Sequence, residues 1–438
     1  MPDLPARNVF PHTAQVNGQG RLVIGGCDVV SLAADFGTPL YVFDEQTLRD
    51  ACQTFLREFR ARYPKTQVLY AAKAFSNLAL ARLLAEEGLG MDVVSGGELA
   101  LAKASGISPS QVYFHGNNKS LQELQEALAW GVGRIVVDSS HELVLLERLA
   151  AQANKTQDIL LRISPGVDPH THAKITTGIL DSKFGFSVAT GDAERAVRQA
   201  LSSRHLRLSG LHCHIGSQLF EVEPYQEAMR ITLTFAAQMR EYGLKLTELG
   251  AGGGFAIPYL RDQRPPSTAE YAEALATTLK SSLKELGFGE PAFIIEPGRS
   301  IVGPAGVALY TVGARKEIPG VRTYLSVDGG MGDNIRPALY DAQYEAFVAN
   351  RMDAPATDVV TIAGKYCESG DILVKDVPLA PSQPGDIIAL PAAGAYCIPM
   401  ASNYNMAPRP AIVMVKDGEA RLIRRRETYQ DLMSTDVA

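Results

Sequence analysis

Val68-Leu69-Tyr70-Ala71-Ala72-Lys73-Ala74 sets a lysine at the end of a short apolar run. Four apolar or aromatic residues in succession predict a buried strand, and Lys73 stands where that strand stops. Desolvation disfavours an ammonium, so burial pushes a lysine in this setting towards the neutral amine. The neutral amine is the form that condenses with a carbonyl to give a Schiff base. A lysine that merely begins a loop fits these seven residues equally well. The segments on either side decide between the two.

Downstream the pattern repeats. Strand candidates follow at GMDVVSG (90–96), VYFHG (112–116), RIVVDS (134–139), ILLRISP (159–165), LSGLHCHIG (208–216), LTELGAGGG (246–254) and FIIEPGR (293–299). Amphipathic stretches such as LALARLLAEEG (78–88), LQELQEALAWG (121–131) and YQEAMRITLTFAAQMREYG (225–243) lie between them. Strands apolar on both faces, alternating with helices, predict a parallel sheet with helical crossovers. Eight such units are what closes a (β/α)8 TIM barrel, with an open doubly wound sheet as the alternative.

Upstream, residues 1–20 carry little pattern, RLVIGG (21–26) reads as a short strand, and VVSLAADFG (29–37) as a short helix closed by Gly37. TPLYVFD (38–44) reads as a further strand, and the barrel domain is expected over 38–306. From about Val307 short alternating strands (VALYTVGA, TYLSVDGG, VVTIAG, DIIALPAAG, AIVMVKDG) are cut by Gly, Pro and Asp turns, which predicts an all-β domain over 307–438. Residues 1–37, through RLVIGG, are expected to join it.

In a barrel of this kind the residues that close the strands converge on one face, where active sites sit. Here they are Lys73, Asp92, His115, Asp138, Arg162, His214, the run Gly252, Gly253 and Gly254, and Glu296 with Arg299. The glycine run follows the seventh strand, and residues without a Cβ let backbone N–H groups approach an anion. That position favours phosphate over a simple tight turn. HCHIGS (212–217) invites a metal reading, but His212 and His214 share a strand face while Cys213 points the other way. No further His or Cys cluster completes a tetrahedral set, so no metal is expected and one histidine stacking on a flat ligand is simpler. EPGR (296–299) offers a carboxylate for a cationic ring nitrogen and a guanidinium for an anion, or merely an ion pair beside a turn.

YAAKA, SKFGF (182–186), HCHIGS, GGGF, EPGR, CESGD (367–371) and GAY (394–396) stand in this order along the chain. Together they resemble the fold-type III pyridoxal-phosphate decarboxylases of basic amino acids, from about Gly37 to about Pro410. GVDPHTHAKITTG (166–178), MGDNIRPALY (331–340) and MASNYN (400–405) are most similar to the diaminopimelate-acting branch. The resemblance implies a barrel paired with a β-domain, pyridoxal 5'-phosphate as cofactor, and conversion of meso-diaminopimelate to lysine. It implies Lys73 as covalent anchor, His214 stacked on the pyridine ring, and Glu296 paired with the ring nitrogen. Asp92, Ser217, Gly252, Gly253, Gly254, Gly298, Arg299 and Tyr396 complete the implied cofactor contacts. Arg336 and Tyr340 match positions that hold a substrate carboxylate, with Arg299 and Tyr396 also on the substrate side. Cys367 and Glu368 match a proton donor and a partner for the distal ammonium, supplied across a homodimer with shared sites. Met406-Ala407 depart from the family, where an arginine is expected. A decarboxylase of ornithine, arginine or carboxynorspermidine, or a homologue without turnover, is the competing expectation. Arg336 favours a substrate with a distal carboxylate, because guanidinium is a planar bidentate fork.

Composition excludes other classes. The chain has 438 residues, 46% of them apolar, and a net charge of −6, which gives no basic field for nucleic acid. Five scattered cysteines make no disulfide framework and fit reduced cytoplasmic thiols. The N-terminus lacks the order of a signal peptide and no apolar run is long enough to span a bilayer, so a soluble cytoplasmic protein without membrane contact is expected.

Overall fold

The computed structural model describes residues 4–167 and 182–437. The segment GVDPHTHAKITTG falls largely outside the described residues. The chain divides into two compact units, one of residues 52–256 and 265–298, the other of residues 1–51, 257–264 and 299–438.

The first unit is an eight-stranded parallel barrel. Its strands are β1 (Thr66–Ala71), β2 (Gly90–Val93), β3 (Val112–Phe114), β4 (Arg134–Val137), β5 (Gln157–Ser164), β6 (Leu206–His212), β7 (Glu248–Gly250) and β8 (Ala292–Ile295). They pair in sequence order, and β8 returns to β1 with Phe293 opposite Thr66 and Ile295 opposite Val68. All eight strands expected from the sequence are present. The seven helices Leu78–Glu86 (α1), Gly96–Ser105 (α2), Leu121–Trp130 (α3), Ser140–Gln152 (α4), Asp192–Ser202 (α5), Glu223–Met239 (α6) and Thr268–Glu285 (α7) lie between them in the chain.

Each boundary has a local cause. Asn77, Ser95, Ser120, Ser139 and Ser267 cap α1, α2, α3, α4 and α7, their side-chain oxygens accepting backbone N–H groups of the first turn. Ser120 with Glu123 and Ser267 with Glu270 form complete capping boxes. Gly131, at φ 79°, ends α3 in the left-handed conformation that a side chain would strain. Strand alternation then sorts the core. Leu69, Tyr113, Val136, Leu160 and Ile294 pack together inside the barrel. Their neighbours Val112, Phe114, Ile135, Val137, Ile159 and Leu161 belong to the cluster that includes helix residues Leu124, Leu128, Leu143 and Leu146. Truncating a buried leucine here, such as Leu161, costs about 2–5 kcal/mol.

The second unit is built on a nine-stranded mixed sheet. Its main path runs through strands Ile372–Leu379, Asp358–Ala363, Arg322–Val327, Gly306–Ile318, Leu40–Asp44, Ala411–Lys416 and Glu419–Arg424. Phe347–Val348 and Ile387–Leu390 add a branch through Gly306–Ile318. An N-terminal strand does enter this sheet, but it is Leu40–Asp44, antiparallel to Gly306–Ile318 and parallel to Ala411–Lys416. All five of its residues are buried, which a strand with partners on both edges and cover on both faces requires. Leu22–Ile24 instead pairs with Gln15–Val16 and Cys27–Asp28 in a small sheet of its own, because tight turns bring those neighbours to it first. Residues 4–20 are also ordered into the core, with Leu4, Val9 and Phe10 buried. The helix Val29–Phe36 forms as expected, capped by Asp28 and closed by Gly37 at φ 69°. Among the described residues no helix is long and apolar enough to cross a membrane.

Candidate functional site

At the barrel mouth Lys73 sits in a 3-10 turn, Ala72–Ala74, directly after β1. Its side chain keeps 40% of its exposure, and Nζ donates to Asp92 Oδ2 at 3.3 Å. The premise of a deeply buried lysine is therefore corrected: β1 ends before Lys73, and a carboxylate meets the amine instead of apolar walls.

Behind this pair lies a buried polar layer. His115 Nε2 stands 3.7 Å from Asp92 Oδ1 and 3.2 Å from Glu296 Oε1, and His212 Nε2 donates to Glu296 Oε2 at 3.0 Å. All four side chains are under 6% exposed. Burial lowers the affinity of His212 for a proton, while Glu296 beside it works the other way. Burial alone would raise the Glu296 carboxyl, but His212 and His115 outweigh it and hold it well below the ordinary carboxylate range. Glu296 Oε1 has no hydrogen-bond partner among the described residues, although it is fully enclosed. A buried acceptor left open in this way is costly unless a ligand fills it.

His214 lies beyond the end of β6, so strand alternation does not set its direction. Its Nδ1 accepts from Gly253 N at 3.3 Å. Burial, then the positive charges of Lys73 and Arg162, push its proton affinity well down, leaving a neutral flat ring. Cys213 turns into the helix-facing core, where burial pushes its thiol up to about 11. The HCH triplet thus splits between two faces.

The glycine run is tightly fitted. A Cβ on Gly252 would stand 2.7 Å from His214 Nδ1, one on Gly253 2.1 Å from the Glu296 carbonyl oxygen, and one on Gly254 2.5 Å from that of Gly216. Gly252 and Gly254 also adopt φ 71° and 105°. A Cβ on Gly298 would lie 3.0 Å from Cβ of both Ala71 and Ala74, so EPGR packs against the turn that carries Lys73. Beside this loop His214, Gly216, Ser217, Arg162 and Phe184 line an open cavity of about 340 Å³. Arg162 lies 4.4 Å over the Phe184 ring and 3.8 Å from Asp138, while Gly185 N donates to Asp138 Oδ1 at 2.7 Å. SKFGF is thereby fixed to the ends of β4 and β5.

The remaining expected residues belong to the second unit. Arg299 donates to the Tyr259 hydroxyl and lies 4.6 Å over the ring of Tyr396, a residue held at φ 60°. Arg336 is 7% exposed, lies 4.6 Å over the ring of Tyr259, and donates to the Tyr344 hydroxyl. Among the described residues no carboxylate stands within ion-pairing distance of Arg336. Tyr340, four residues on at the other end of the short helix Arg336–Tyr340, is 61% exposed and stands apart from this buried group. Cys367 and Glu368 are exposed; Cys367 N donates to Asn405 Oδ1 at 3.0 Å and Tyr404 Oη donates to Cys367 O at 3.3 Å. CESGD and MASNYN are therefore one joined surface, with Met406 56% exposed beside them.

Sequence reasoning placed His115 among the strand-closing residues without a specific role, weighed His212 only as a metal ligand, and did not single out Tyr259 or Tyr344. His115 and His212 were visible as strand-end histidines of a parallel barrel. The tyrosines had no comparable signal, since tyrosine spacing alone does not distinguish a core from a cation-lined pocket.

Comparison with known proteins decides the family. The family described as pyridoxal-dependent decarboxylase, pyridoxal binding domain, matches residues 47–303. This chain belongs to the pyridoxal-dependent decarboxylases. It is 49% identical to the diaminopimelate decarboxylase of Bacillus subtilis (strain 168), covering 98% of each chain. It is 43% identical to that of Mycobacterium tuberculosis (strain H37Rv), covering 99% of this chain and 98% of the relative. The crystal structure of diaminopimelate decarboxylase from M. jannaschii in complex with L-lysine superposes with a TM-score of 0.93 at 38% identity, covering 98% of each chain.

Proposed function

We propose that this protein decarboxylates meso-diaminopimelate to L-lysine with pyridoxal 5'-phosphate as cofactor. Full-length similarity to enzymes of that name supports the reaction. The single observation that carries the choice of substrate is Arg336, a buried guanidinium with aromatic neighbours and no anionic partner among the described residues. A site for a second carboxylate needs that group; a substrate ending only in an ammonium does not. The aromatic faces keep the cation in place without neutralising it.

The residues present fit the cofactor. The open acceptor on Glu296 suits a protonated ring nitrogen, and the glycine loop leaves no room for side chains where a phosphate would approach backbone N–H groups. Lys73 would anchor the cofactor, with Asp92 beside its amine; His214 would stack on the ring; Ser217, Gly252, Gly253, Gly254, Gly298, Arg299 and Tyr396 would serve the phosphate. When bound, pyridoxal phosphate supplies an electron sink for the pair left behind as carbon dioxide departs. Glu296 keeps the ring nitrogen protonated. Arg336 holds the distal carboxylate, Glu368 faces the distal ammonium, and Cys367 returns a proton to the α-carbon.

Cys367 and Glu368 act across a two-fold dimer, each chain lending its loop to the other. Their exposure, with Met406 exposed on the loop that meets Cys367, supports this arrangement. Release of carbon dioxide from meso-diaminopimelate by the purified protein, with L-lysine as product, tests the reading. Equal turnover of ornithine would overturn it.

A further inference from the structure

Glu296 is held from more sides than a simple ring-nitrogen partner requires. Its N–H donates to Gly252 O at 2.9 Å, and its carbonyl lies against Gly253, where a Cβ would stand 2.1 Å away. One carboxylate oxygen, Oε2, is taken by His212 Nε2 at 3.0 Å; the other, Oε1, stands 3.2 Å from His115 Nε2 without a hydrogen bond. The two imidazoles meet edge to face, with centres 4.8 Å apart. His212 cannot turn away from this contact. A Cβ on Gly250, in the adjacent strand β7, would lie 2.5 Å from His212 Cδ2, so the ring fills the space left by that glycine. His115 also reaches Asp92 Oδ1, and Asp92 Oδ2 meets Lys73. The anchor lysine and the buried carboxylate are thus joined through Asp92 and His115.

We propose that His212 is a positioning residue for Glu296, with His115 as its support. By filling one carboxylate oxygen with a fixed N–H donor, His212 sets the plane of the carboxylate, keeps it anionic and leaves the other oxygen open as acceptor for the ring-nitrogen proton of pyridoxal phosphate. The inference rests on the functional reading above, since it names what orients the group assigned to the ring nitrogen. It concerns affinity for one atom of the cofactor, which separates it from a general packing role.

The test compares two cofactors on the apoprotein: pyridoxal phosphate, and its carbon analogue with CH in place of the ring nitrogen. Removing the donor with His212→Phe should weaken binding of pyridoxal phosphate by about ten- to a hundredfold, the range for a hydrogen bond to a charged group. Binding of the carbon analogue should stay within about threefold, because it presents no proton to Glu296. His212→Gln, whose amide nitrogen reaches the same place, should restore most of the lost affinity. Equal weakening of both cofactors, or of neither, would overturn the proposal. If circular dichroism shows that His212→Phe does not fold, His212→Met replaces it with the same expectations. Failure of the functional reading shows separately, as wild-type protein that releases no carbon dioxide from meso-diaminopimelate.

Discussion

The guanidinium of Arg336 lies 4.6 Å over the ring of Tyr259, and the same ring receives Arg299 at 5.7 Å. Two cations share one aromatic side chain. Mutual repulsion makes that arrangement costly, and an anion bound beside Arg336 would relieve it.

Arg336→Ala should therefore lower kcat/KM for meso-diaminopimelate by the equivalent of about 2–5 kcal/mol, as expected for loss of a buried charge-assisted contact. Arg336→Lys keeps the charge but loses the fork and should fall between the two. A thermal melt of each variant separates this loss from unfolding. Unchanged specificity in Arg336→Ala would remove the distal-carboxylate assignment.

Lys73 can be tested by chemistry alone. Borohydride reduction of the cofactor-loaded protein followed by peptide mapping should place the label on Lys73. Lys73→Ala should lose its visible absorbance on dialysis. A label on another lysine would contradict the anchor.

Glu296→Gln preserves volume but not charge. Turnover should fall by at least about a hundredfold, in the range for removal of a positioned acid–base or electrostatic partner, with the fold intact by circular dichroism. An unchanged turnover number would dismiss the ring-nitrogen role.

Stability should carry a pH signature from Asp333, which is buried and accepts hydrogen bonds from Tyr310 and Tyr41. Burial pushes its carboxyl up to about 6. The folded protein therefore binds this proton more tightly than the unfolded chain does, so the stabilisation it gives is full below about pH 4 and is lost as pH rises through 6. The loss amounts to about 2–3 kcal/mol. Urea denaturation of wild type and Asp333→Asn at pH 5 and pH 8 should show the variant gaining, relative to wild type, at the higher pH. A difference that does not move with pH would contradict the shift.

Sharing of sites is testable by mixing. Lys73→Ala and Cys367→Ala chains, each inactive, should regain activity when subunits exchange. Random pairing makes half the dimers mixed, each with one intact site, so about one quarter of all sites should work. Activity that stays at the sum of the two variants despite exchange would place the loop within its own chain.

The barrel was legible because several strands are apolar on both faces, each closes on a polar residue, and eight strand–helix units recur, the number that closes a barrel. Leu40–Asp44 was legible as a strand but not as part of the other sheet. A run buried on both faces carries no information about which sheet buries it. Glu296 was legible from EPGR, whereas its tie to His212 joins residues 84 positions apart. That contact depends on barrel closure and on the missing side chain at Gly250. Arg336 was found through motif resemblance, while Tyr259 and Tyr344, which fix its geometry, carried no signal of their own. Tyr340 is the reverse case: it too was found through motif resemblance, yet it is 61% exposed while Arg336 is buried.

The glycines at 250 and 253 set limits on how this scaffold can be re-engineered. Saturation libraries at either position should return glycine among active clones, since alanine at 250 collides with the His212 ring and alanine at 253 with the carbonyl of Glu296. Adaptation by substitution is thereby steered away from these two positions, since any side chain there must displace a histidine ring or a backbone carbonyl.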